Sequence, residues 1–299
     1  METLRIKKDA ATIGWLLLLG QLLMQGAATV IVFIGMVLHL SGTMMIGSDV
    51  GSFIANFMVM GIFWLIKRKE LPPGEAKHGQ NPLHSMKLTL FIMAAVIFLN
   101  ETVSLFDYIT NESLSVPLTE MTDSDSLWLN LLLVAVFPAI VEEFAFRKVI
   151  FGTMRQYGFA AAALFSSLMF GLMHQNFIQL IFAFEMGMVL CLLYEHTGKL
   201  VYCSLVHFTN NAYAVLLSAA PVPERVGLFL EIGLCVVGLI VTAWLLVSKQ
   251  IRPRRLLQIE SHEEKALLSV NFHSAMTSVP VIIYTVLCLL MCVVVVLVL

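Results

Sequence analysis

Long apolar runs separated by short polar breaks organise the whole chain. The runs occupy residues 13–38, 50–66, 88–106, 127–146, 159–174, 177–194, 200–219, 226–247 and 280–299. Crossing about 30 Å of hydrocarbon at 1.5 Å per residue takes roughly 20 residues, so each run reads as a membrane-spanning helix. Helices are predicted because hydrocarbon offers the backbone no other hydrogen-bond partner. The count is nine spans, or eight if a weak one is re-entrant; the fifth and sixth are separated only by Gln175 and Asn176. The expected fold is an all-α polytopic bundle, a single transmembrane domain over residues 1–299. A linker at 251–279 precedes the last span, with Arg-Pro-Arg-Arg opening a helix-like run.

Composition agrees with that pattern. The 299 residues are 59% hydrophobic and 13% charged, where soluble domains carry about 25% charged residues. A soluble globular protein is therefore excluded. The net charge of −2 gives no reason to expect a nucleic-acid partner, whereas the bilayer is an obligate one. Five cysteines, Cys191, Cys203, Cys235, Cys288 and Cys292, all lie in apolar runs without a Cys-x-x-Cys pair. They read as small packing residues rather than a disulfide framework or a zinc-thiolate site.

Basic residues alternate along the chain. They cluster at the amino terminus (Arg5, Lys7, Lys8), after span two (Lys67, Arg68, Lys69, Lys77, Lys87) and after span four (Arg147, Lys148, Arg155). They recur after span six (Lys199) and span eight (Lys249, Arg252, Arg254, Arg255, Lys265), while the loops between hold only Arg225. The positive-inside rule then predicts a multi-pass cell-membrane protein with a cytoplasmic amino terminus. The first run follows basic residues as a signal peptide would, but its length predicts a retained span. The stretch 70–75, with Pro-Pro-Gly, breaks any helix leaving span two, and 252–278 is expected at the anionic inner leaflet.

Three polar clusters interrupt the hydrocarbon segments. Glu142, Glu143 and Arg147 sit in one, Phe170 and His174 in a second, His207 and Asn211 in a third. A charge inside a membrane costs roughly 2.5–3.5 kcal/mol on insertion scales, so such residues mark function or pairing. Positions four apart share a helix face, so Glu143 and Arg147 are expected to pair. Glu142, rotated by about 100°, lacks that partner and is the candidate proton acceptor. His207 and Asn211 aim an imidazole and a carboxamide at one point, as an oxyanion site requires; Asn210 is rotated away. Each cluster also has a plainer reading: a rim ion pair, an interfacial histidine, an interhelical hydrogen bond. Together they supply a base, two imidazoles, an amide donor and an ion pair, the parts needed to hydrolyse an amide.

In this order on successive segments, Glu-Glu-x-x-x-Arg, Phe-x-x-x-His and His-x-x-x-Asn resemble the CPBP family of intramembrane proteases. That family includes type II CAAX prenyl endopeptidases and bacterial Abi proteins tied to bacteriocin self-immunity. The resemblance covers about residues 127–220, the expected catalytic core. It implies a CAAX-protease-like fold and an endopeptidase acting on a membrane-associated peptide or protein. It further implies that Glu142 and His174 activate water and that His207 and Asn211 form the oxyanion hole. Glu143, Arg147 and Phe170 would support them. Lys148 stands where the family often has Gly, a departure outside the chemistry.

Two chemistries fit these residues. Glu142 can act as a general base without metal, which is favoured, or His174, His207 and Glu142 can ligate zinc. The sequence lacks His-Glu-x-x-His, Gly-x-Gly-Asp and Gly-x-Ser-Gly, so the zinc, aspartyl and serine intramembrane protease classes are not indicated. The rival reading is a non-enzymatic immunity or transport protein using the same polar groups for binding. Counting residues puts Glu142 and His207 in the cytoplasmic half and His174 near the far end of a straight fifth span. A cytoplasmic-surface segment at 147–158, or a tilted helix, is expected to reconcile them.

Overall fold

The computed structural model describes residues 2–37, 58, 61, 64–65, 81–109, 126–219, 224–248 and 262–298. Among them are α1 (Glu2–Val37), α2 (Pro82–Ile109), α3 (Leu127–Tyr157), α4 (Phe159–Met173) and α5 (Phe177–Thr197). The remaining helices are α6 (Leu200–Ala219), α7 (Glu224–Val247), α8 (His262–Met276) and α9 (Val279–Val298). No strand occurs among the described residues. Helices α1, α2, α3, α5, α6, α7 and α9 each hold a stretch long and apolar enough to span a membrane. Helix α4 is equally apolar, but its 15 residues reach only about 22 Å. The expected span at 50–66 lies almost wholly outside the described residues. The linker at 70–75 and residues 249–261 lie wholly outside them.

Helix α3 departs from the expected pattern. The apolar run suggests an end at 146 and a surface segment beyond; instead the helix continues to Tyr157, with Val149, Ile150, Phe151 and Met154 in the core. Continuation is possible because the polar side chains find partners. Arg155 forms a two-pronged bond to Glu195 at the end of α5, Nε to Oε2 at 3.0 Å and Nη2 to Oε1 at 2.9 Å. Within α3, residues 131–136 and 144–151 adopt π geometry. These widened turns flank Glu142 and Glu143, and such turns re-aim side chains at functional sites.

Tight connections hold α4 inside the bundle. Gly158 adopts φ 108° between α3 and α4, a region glycine enters without strain. At the other end, Gln175 takes φ 54°, and Asn176 caps α5 by accepting bonds from the N–H groups of Ile178 (3.0 Å) and Gln179 (3.1 Å). The α4–α5 interface is close: a Cβ at Gly171 would lie 2.6 Å from the Leu180 carbonyl oxygen. Helix α4 also packs on α8 and α9, and α1 on both of these.

One end of the bundle is polar. Tyr157 donates its hydroxyl to Asp9 of α1 at 2.7 Å, and the buried Asn271 of α8 donates to the Tyr157 carbonyl at 2.7 Å. These bonds put the start of α1, the end of α3 and part of α8 on the same side. The Arg155–Glu195 bridge adds the end of α5.

Candidate active site

The site forms where α3, α4 and α6 meet. The first turn of α3's second π segment brings Arg147 below Glu143, with Nε 2.9 Å from Oε2 and both side chains fully buried. Charge rather than an aligned hydrogen bond holds this pair, since neither atom has a hydrogen-bond partner. The guanidinium stacks on the Phe170 ring of α4, its Cζ 4.6 Å from the centroid. Cation–π attraction of this kind strengthens in a dry environment. Breaking a buried pair leaves an uncompensated charge, so the two side chains depend on each other.

The other carboxylate oxygen of Glu143 accepts a bond from His207 Nδ1 of α6 at 2.8 Å. Arg147, Glu143 and His207 therefore form a continuous line from α3 to α6. With Nδ1 committed to Glu143, the remaining ring nitrogen faces the neighbouring acid: Nε2 lies 3.8 Å from Glu142 Oε2. That gap exceeds a hydrogen bond. It is short enough for one small polar group to touch both atoms. Glu142 retains 18% exposure where Glu143 has none.

Phe170 is the hub of the site. Its ring meets His174 at 5.1 Å and His207 at 5.9 Å between centroids, both edge-on, and Phe146 at 5.0 Å. His174 caps α4, and its Nδ1 lies 3.0 Å from the Phe170 carbonyl oxygen. A carbonyl only accepts, so this contact assigns the proton to Nδ1 and leaves the Nε2 lone pair free. Ser166 donates to the Phe146 carbonyl at 2.7 Å, pinning α4 to α3 one turn before Phe170.

Asn211 lies one turn beyond His207, and its Nδ2 donates to the Val134 carbonyl at 2.9 Å. Asn210 donates to Asn211 Oδ1 at 3.2 Å. Val134 belongs to the first π segment of α3, which puts the partner of Asn211 on the helix that carries Glu142. Thus Phe170 touches Arg147, His174 and His207, both acids lie against His207, and Asn211 is tied to the same α3–α6 pair. Ser166, Asn210 and the Val134 carbonyl are participants that residue spacing missed. Only the rarity of Ser and Asn in hydrocarbon helices hinted at them.

The candidate zinc set was His174, His207 and Glu142. Among the described residues no group of three His, Cys, Asp or Glu side chains is placed to hold a metal ion. The Phe170 ring contacts both imidazoles.

Comparison with known proteins finds a likeness over the same stretch of the chain. Residues 124–213 match the family described as Type II CAAX prenyl endopeptidase Rce1-like. The chain is 33% identical over 84 residues to the putative membrane peptidase YdiL of Bacillus subtilis, covering 28% of this chain and 34% of that protein. It is also 33% identical over 90 residues to the membrane-embedded CAAX protease MroQ of Staphylococcus aureus, covering 28% and 36% respectively. The chain thus spans about a third of the length of these relatives. No solved structure matches. The family match spans residues 124–213, which hold all three motifs.

Proposed function

We propose that this chain is an intramembrane endopeptidase that hydrolyses a peptide bond in a membrane-associated peptide or protein. The observation that carries the reading is the unequal treatment of two adjacent acids. Glu143 is locked between Arg147 and His207, while Glu142 has no such lock, keeps some exposure and faces His207 Nε2.

In the proposed reaction Glu142, with His174 Nε2 as second acceptor, takes a proton from water as its oxygen attacks the scissile carbonyl carbon. The carbonyl π electrons move to oxygen, and the oxyanion accepts bonds from His207 Nε2–H and Asn211 Nδ2–H. Donation from His207 requires protons on both ring nitrogens, with Glu143 as the counter-ion. The intermediate then collapses, the C–N bond breaks, and Glu142 returns the proton to the leaving amine. Preorganised donors in such a site are worth about 10²–10³ in turnover each. The substrate class is peptide held at the membrane, such as a leader peptide or a CAAX-like tail. The reaction is read as metal-free.

The test is proteolysis of a panel of membrane-bound peptides by purified wild type and Glu142→Gln, with and without chelator. Cleavage by wild type, its loss in Glu142→Gln and indifference to chelator are expected. Undiminished cleavage by Glu142→Gln removes the base, and chelator sensitivity restores a metal. Failure of wild type to cleave any peptide favours a binding or transport role.

A further inference from the structure

Asn210 sits on the wrong face of α6 to meet substrate alongside His207, yet it is 93% withdrawn from solvent in effect, with only 7% exposure. Its one hydrogen bond of known direction goes to its neighbour, Nδ2 to Asn211 Oδ1 at 3.2 Å. The chemistry fixes the polarity of the whole chain of bonds. The Val134 carbonyl can only accept, so the Asn211 atom 2.9 Å from it must be the NH2 group. Oδ1 of Asn211 then turns to Asn210, which must answer with its own NH2. Asn211 Nδ2 has two protons, and Val134 takes one. The second is left for another acceptor.

We propose that Asn210 is a positioning residue that locks the Asn211 carboxamide in the orientation able to donate to a substrate oxyanion. The inference rests on the protease reading above. Without the lock, rotation by 180° about the terminal bond exchanges Oδ1 and Nδ2. The flipped amide sets oxygen against the Val134 carbonyl and presents oxygen, not N–H, to the developing negative charge. Both contacts are then repulsive where they were attractive. Because Val134 lies on the same helix as Glu142, the lock also ties the α6 donor to the helix that carries the base.

The test is a double-mutant cycle read as kcat and KM on a cleaved membrane peptide. Asn210→Leu and the smaller Asn210→Ala are expected to lower kcat about tenfold, the worth of one hydrogen bond in the transition state, with KM unchanged. Asn210→His, which keeps an N–H donor at the same reach, is expected to recover much of that loss. In the Asn211→Ala background, Asn210→Leu is expected to change kcat no further, whereas a residue that merely supports the fold would add its loss in both backgrounds. Wild-type kcat in both Asn210→Leu and Asn210→Ala overturns the lock, as does an undiminished further loss on top of Asn211→Ala. Asn211→Ala turning over like wild type, or a wild type that cleaves nothing, instead removes the parent reading and the lock with it.

Discussion

Glu142 and Glu143 are chemically identical neighbours with opposite surroundings. Glu143 has no exposure, an arginine on one oxygen and an imidazole on the other. Replacing it by Gln keeps the shape but strands the Arg147 charge in the interior, where breaking a buried pair costs about 3–5 kcal/mol. Thermal unfolding of Glu143→Gln in detergent is therefore expected to show a large fall in midpoint, along with lost turnover. Glu142→Gln removes a partly exposed acid that no arginine pairs, so its midpoint should match wild type while cleavage is lost. Equal midpoints for the two variants would contradict the division of labour. The spacing in Glu-Glu-x-x-x-Arg made the Glu143–Arg147 pair legible. The Glu143–His207 bond was not, because no rule of spacing links positions 64 residues apart on α3 and α6.

At the level of helices, seven of the nine hydrophobic runs fall on described helices long and apolar enough to span a membrane, and an eighth falls on the shorter α4. The end of α3 escaped that signal. Arg147, Lys148 and Arg155 look like an interface; spacing pairs Arg147 with Glu143, but only the structure pairs Arg155 with Glu195. The π turns were equally invisible, since they redistribute hydrogen bonds without changing composition. Phe170 and His174 share one face of the short α4, so the helix that seats the Phe170 hub seats His174 beside it. The close α4–α5 contact is what sets that position. Gly171→Ala puts a Cβ 2.6 Å from the Leu180 carbonyl oxygen and is expected to cost about 1–3 kcal/mol by overpacking. Turnover should fall too, because Phe170 and His174 ride on the same helix. Gly152→Ala in α3, where the nearest atom is 3.8 Å away, should be tolerated. Urea or heat unfolding of both variants checks the contrast; equal stability would show that α4 and α5 can separate freely.

Across the whole molecule, basic residues and hydrogen bonds give a consistent end to the bundle. The start of α1, the end of α3 and the end of α5 converge through Asp9, Tyr157, Arg155 and Glu195. Arg5, Lys7 and Lys8 belong to this same end of α1. The positive-inside rule predicts that this end faces the cytoplasm. A cysteine placed at exposed Lys8 should resist a membrane-impermeant maleimide in intact cells and react after permeabilisation. Labelling in intact cells would invert the topology and turn the site toward the other side of the membrane.

In the proposed reaction, side chains from three helices act as one machine on one water and one carbonyl. Groups that act as a unit lose almost everything at the first removal, so their losses do not multiply. The most direct measurement is single-turnover cleavage by Glu142→Gln, His174→Ala, His207→Ala, Asn211→Ala and the quadruple variant, each at matched folded fraction. The quadruple variant is predicted to be no slower than the slowest single one. Losses that multiply across the series, or single variants that cleave at the wild-type rate, would contradict the shared site.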